Sequence, residues 1–110
     1  MTRDELIAAF RAESSPKPLA VEADGITRYV RVMTAFDADA TTKKLDALKK
    51  DDGCQTGRVL ACTLCDAEGA LLFDAANADD VLMLSKLPPK LQTRLITAAN
   101  QAQGAESGNA

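Results

Sequence analysis

Residues 79 to 87 constrain this chain most. Val81, Leu82, Met83, Leu84 and Leu87 cover most of the circumference of a helix, and Pro88-Pro89 then stops it. A helix that is apolar nearly all round must be enclosed on several sides. Prolines in tandem break one helix and can form the first turn of the next, where a missing N–H costs nothing. Beyond them Leu91, Leu95, Ala98, Ala99 and Ala102 recur at i, i+4, i+7, i+8 and i+11, with Lys90, Gln92, Arg94, Thr97 and Gln101 on the wet side. The spacing predicts an enclosed helix, a sharp break and a final amphipathic helix.

The rest of the chain must supply what encloses that pair. Thr2, with Glu5 three residues on, caps a first helix carrying Leu6, Ile7 and Phe10, and the linker at 14 to 18, rich in Ser and Pro, ends it. Residues 19 to 23 and 26 to 32 flank Asp24-Gly25, a type I′ hairpin signal because both turn positions need φ > 0. Thr34 with Asp37 opens a surface helix over 35 to 50, acidic early and basic late, with Phe36, Ala40, Leu45 and Leu48 as its sparse apolar positions. Residues 51 to 57 read as a loop. Residues 58 to 65 and 70 to 73, apolar on both faces, predict a second, buried hairpin around the turn at 66 to 69. Asp74 or Asn77 caps the helix that follows. The expected fold is α+β: a single domain over 1 to 103 with two short β-hairpins and about four helices, and a disordered tail at 104 to 110.

Composition narrows the function. Aromatic residues are only 4% of the chain, so the core rests on Leu, Val, Ile, Ala and Cys. The net charge of −3 and the lack of a basic stripe argue against nucleic acid. No run of 18 apolar residues exists to span a bilayer, and the first residues lack the apolar centre of a signal peptide, which points to the cytoplasm and to reduced thiols. The chain has no histidine to serve a hydrolase triad and no Gly-rich phosphate loop. Asp51-Asp52-Gly53 and Asp79-Asp80 lack the ligand spacing of a calcium loop and read as a turn and an acidic helix start. Cys62-x-x-Cys65 matches a redox or zinc pair in text only: on a strand the two sulfurs point to opposite faces, and no second pair completes a zinc site. Neither catalytic, metal nor cofactor residues are expected. What remains is protein binding, with Val81, Met83, Leu84, Leu87, Leu91 and Leu95 as the candidate contact residues.

One pattern is more specific. Asp66-x-x-Gly69-x-Leu71-Leu72-Phe73, then Asp80-Val81-x-x-Leu84-x-x-Leu87-Pro88 and Leu95-x-x-Ala98-Ala99, resembles the tail assembly chaperones of long-tailed bacteriophages and prophages. Upstream, Gly25-Ile26-Thr27-Arg28-Tyr29-Val30-Arg31 matches that family's strand leading into a Thr-capped helix. The similarity covers residues 19 to 103. It departs at the end of the last helix, where Ala102-Gln103-Gly104 stands in place of a Leu-Asn-Gly-like close. The resemblance implies a non-enzymatic assembly factor in the host cytoplasm. Its partners would be the tape measure protein, the tail tube protein and further copies of itself, and it would be absent from the finished virion. Many members are also made as a longer frameshifted product. The alternatives are a structural tail or head–tail component retained in the virion, and a small thiol redox protein using Cys62 and Cys65.

Overall fold

The computed structural model describes residues 1 to 13 and 16 to 104, with side chains through Gln101. The chain is an α+β domain. Its elements run α1 (Arg3–Glu13), β1 (Leu19–Ala23), β2 (Ile26–Val30), α2 (Ala35–Leu48), α3 (Gln55–Thr63), β3 (Leu64–Cys65), α4 (Ala78–Ser85) and α5 (Pro89–Gly104). The three strands form one antiparallel sheet in the order β1-β2-β3. Of the expected tail only Gly104 is described, as the last residue of α5; residues 105 to 110 lie outside the described residues, as do Ser14 and Ser15 of the linker.

The first hairpin follows its turn chemistry. Asp24 and Gly25 take φ of 54° and 76°, the left-handed values that a type I′ turn needs, and Leu19 pairs with Val30 through to Ala23 with Ile26. The helix starts also follow local signals. The Thr2 hydroxyl accepts from Glu5 N, Thr34 and Asp37 form a reciprocal capping box, and the Asn77 side chain accepts from Asp80 N. α4 ends at Ser85 with Lys86 as its C-cap, and α5 begins at Pro89, so the double proline marks the joint between them.

Residues 55 to 63 are a helix, where the sequence predicts the loop's end and a strand. α3 buries Gly57, Arg58, Leu60, Ala61, Cys62 and Thr63 and packs against α2, α4 and α5. Residues 59 to 65 form a short run of apolar and small side chains, and a run of that length cannot be told from an enclosed strand by periodicity alone. The predicted second hairpin shrinks accordingly. Only Leu64 and Cys65 join the sheet, opposite Val30 and Tyr29, and a single bridge links Cys65 to Leu71 across the turn. That turn is as expected: Gly69 has φ of 91°, and the Asp66 carboxylate accepts from the N–H of Glu68 and Ala70.

The core gathers Val21, Val30, Leu60, Ala61, Leu64, Ala75, Leu84, Leu95 and Ala99, with Leu60, Leu95 and Val30 fully buried. Each of these large side chains contributes about 1.5–3 kcal/mol of transfer free energy. α5 crosses β1 and β2, while α3 and α4 complete the helical layer. By contrast α2 buries no residue, and Phe36 is 82% exposed.

Candidate protein-binding groove

α4 is held by a close crossing with α3. A Cβ added to Gly57 would stand 2.1 Å from Ser85 Oγ and 2.4 Å from the Val81 carbonyl oxygen, so only glycine lets the two backbones meet this way. The crossing turns the Val81, Leu84 and Ser85 side of α4 inward. Val81 and Leu84 are 4% and 3% exposed. Met83, and Leu87 just beyond the end of α4, lie toward the other side.

There α4 forms one wall of an apolar groove of about 440 Å³. Buried Leu64, Cys65, Leu84 and Leu95 line its depth, together with half-buried Tyr29 and Phe73. Met83 and Leu72, 48% and 58% exposed, stand at its edges, and Arg28 and Asp66 put one charge of each sign there. A wider cleft of about 660 Å³ lies between β1 and α5, but Lys90, Thr93, Arg94, Thr97 and Gln101 make it wet. Binding sites are mostly apolar with a few placed polar groups, which favours the smaller groove.

Four of the six candidate contact residues, Met83, Leu84, Leu87 and Leu95, line this groove together. Leu84 and Leu95 do so from the core, so Met83 and half-buried Leu87 offer the accessible surface. Val81 lies behind α4, beside a cleft of about 280 Å³ lined also by Leu48, Asp52, Arg58 and Leu82. Leu91 packs half-buried against the core and does not line the groove. Sequence reasoning missed Leu72 and Phe73 as contact residues. The run Leu71-Leu72-Phe73 straight after a tight turn is the signal that marks them.

One polar arrangement fixes the joint of α4 and α5, and another the start of α3. The Gln92 amide of α5 donates to the Leu84 and Ser85 carbonyl oxygens at 2.9 and 3.2 Å, satisfying the open end of α4. At the start of α3, Asp52 accepts from Cys54 N at 3.0 Å and from both terminal nitrogens of Arg58, a forked ion pair. The Arg58 side-chain hydrogen bonds, with the Cys54 N–H, hold the Asp52 carboxyl down at about 2, and the same carboxylate raises Arg58 further. This pairing is what the Asp51-Asp52-Gly53 stretch does locally. Among the described residues no three His, Cys, Asp or Glu side chains converge as a metal site would require.

The two neighbouring cysteines lie on different elements, Cys62 at the end of α3 and Cys65 in β3, so the argument from a shared strand does not apply to them. Both are buried free thiols, and burial pushes both up, with Asp66 adding to the rise at Cys65. Reactive thiols need the opposite shift.

Among the described residues no helix is long and apolar enough to cross a membrane. Comparison of the chain with protein families, curated proteins and solved structures returns no match.

Proposed function

We propose that this chain is a tail assembly chaperone of a long-tailed bacteriophage or prophage, which holds an apolar helical face of the tape measure protein in the groove between α4 and residues 66 to 73. The observation that carries the reading is the groove itself: an apolar trough with half-exposed Met83 and Leu72 at its edges, on a chain of net negative charge. Helix-in-groove binding sets the spaced apolar anchors of a helix into such a trough, and Met83 and Leu87 offer it accessible apolar surface. Of the residues that carry the resemblance, Asp66, Leu72, Phe73, Leu84, Leu87 and Leu95 line the groove.

In this role the chaperone works in the host cytoplasm, keeps the long tape measure helix soluble, helps tail tube subunits polymerise around it, and leaves before the virion is complete. Co-expression with the tape measure protein encoded beside it tests the reading. Soluble yield of that protein should rise and the two should co-purify; no rise and no co-purification sink the proposal. Mass spectrometry of purified virions separates it from the structural alternative, since a retained tail component would be found there and the chaperone would not. The thiol redox alternative draws no support from Cys62 and Cys65, whose burial disfavours the thiolate.

A further inference from the structure

β1 is the outer strand of the sheet, paired to β2 on one side only. What its open side presents follows from the turn. Ala23 and Ile26 close a two-residue type I′ turn and so form a hydrogen-bonded pair. Bonded and non-bonded pairs alternate along the ladder, so Ala23, Val21 and Leu19 turn their N–H and C=O groups to β2. Ala20 and Glu22 turn theirs outward. The far side of β2 agrees: Arg31 N donates to Thr63 O at 2.8 Å, which sets Tyr29 and Arg31 toward β3 and Arg28 and Val30 toward β1. Among the described residues no backbone group pairs with the outward groups of Ala20 or Glu22. Neither a proline nor a bulge blunts this edge.

The wider cleft of about 660 Å³ opens on this edge. Residues 19 to 22 line it in succession, and successive side chains of a strand point to opposite faces, so the cleft meets β1 edge-on. Its other wall is one face of α5, where Lys90, Thr93, Arg94 and Thr97 follow at i, i+3, i+4 and i+7. An open strand edge takes an extended peptide as a further strand, with affinity from main-chain hydrogen bonds and specificity from alternate side chains. Charge names the peptide. Lys90 and Arg94, one turn apart and both exposed, form no ion pair among the described residues. Glu22, the acid of the cleft, is turned to β2, where it accepts from Thr27 Oγ1 at 3.5 Å. We infer that this cleft is a second docking site, which takes an extended acidic segment of another protein as a fourth strand beside β1, with its carboxylates against Lys90 and Arg94. The site shares no lining residue with the apolar groove and stands whether or not the tape measure protein binds there.

Fluorescence anisotropy of the full chain with a labelled synthetic peptide that alternates glutamate with valine tests this. The peptide should bind, and its counterpart with lysine for glutamate should bind about tenfold more weakly. N-methylation of two adjacent central amides, which blocks a ladder on either edge of the peptide, should abolish binding. Lys90→Glu combined with Arg94→Glu should keep the circular dichroism of the wild type, because both side chains are exposed, and should reverse the preference to the lysine peptide. In nuclear magnetic resonance spectra of the wild type, the glutamate peptide should shift the Ala20 and Glu22 amides most within the sheet. No binding of the glutamate peptide, equal binding of the lysine or N-methylated forms, a double variant with unchanged preference, or shifts confined to the apolar groove overturns the inference.

Discussion

Gly57 and Ser85 touch where α3 crosses α4, with room for no side chain between them: an added Cβ would lie 2.1 Å from the Ser85 hydroxyl oxygen. Gly57→Ala should therefore destabilise the fold by about 1–3 kcal/mol, the usual cost of overpacking, even though alanine is the better helix former. Adding Ser85→Ala should restore only part of the loss, because the Val81 carbonyl oxygen would still stand 2.4 Å away. Chemical denaturation of the three proteins measures both effects.

Asp52 ties acid sensitivity to the start of α3. Its carboxyl is held at about 2 in the fold against an ordinary value of 3.8, so the unfolded chain takes up this proton first as pH falls. The contribution is fully present above about pH 4–5 and is lost as pH drops toward 2. Asp52→Asn should melt at lower temperature than the wild type at neutral pH, and the gap should narrow steadily between pH 5 and pH 2. A gap independent of pH would contradict this account of the pair with Arg58.

Gln92 should matter more than its place on the polar side of a helix suggests. Gln92→Ala leaves the Leu84 and Ser85 carbonyls without their side-chain donor and should cost about 1 kcal/mol. Hydrogen exchange of amides in the last turn of α4 should quicken in the variant more than exchange in the hairpin of β1 and β2.

The thiols should divide by burial. In the folded protein Cys54, which is part-exposed, should be alkylated first, while Cys62 and Cys65 should resist until the chain unfolds. Mass spectrometry after timed alkylation, with and without denaturant, reads this directly.

Much of the fold is legible in the residues because it is set locally. Asp24-Gly25 places the hairpin, Thr34 with Asp37 and Asn77 place two helix starts, and Pro88-Pro89 places the joint between α4 and α5. The misread element is α3, and the reason is physical. Residues 59 to 65, which run from the end of α3 through β3, are a short apolar stretch buried under α2, α4 and α5, and so short a run reads equally as a strand. The groove is legible only in outline. That α4 is rich in apolar residues is plain, but which of them face outward depends on its rotation, and that is set by the contact with Gly57. Val81 goes inward and Met83 outward for that reason, and nothing local to α4 distinguishes them.

The central claim is that Met83 and its neighbours hold a helix of the tape measure protein. Co-purification from cells expressing both proteins, with wild type and with Met83→Glu, tests it most directly. The wild type should bring down soluble tape measure protein, Met83→Glu should lose it while staying folded, and Phe10→Glu, which leaves the groove intact, should keep it. Tape measure protein that fails to co-purify with the wild type, or that binds Met83→Glu equally well, would contradict the account.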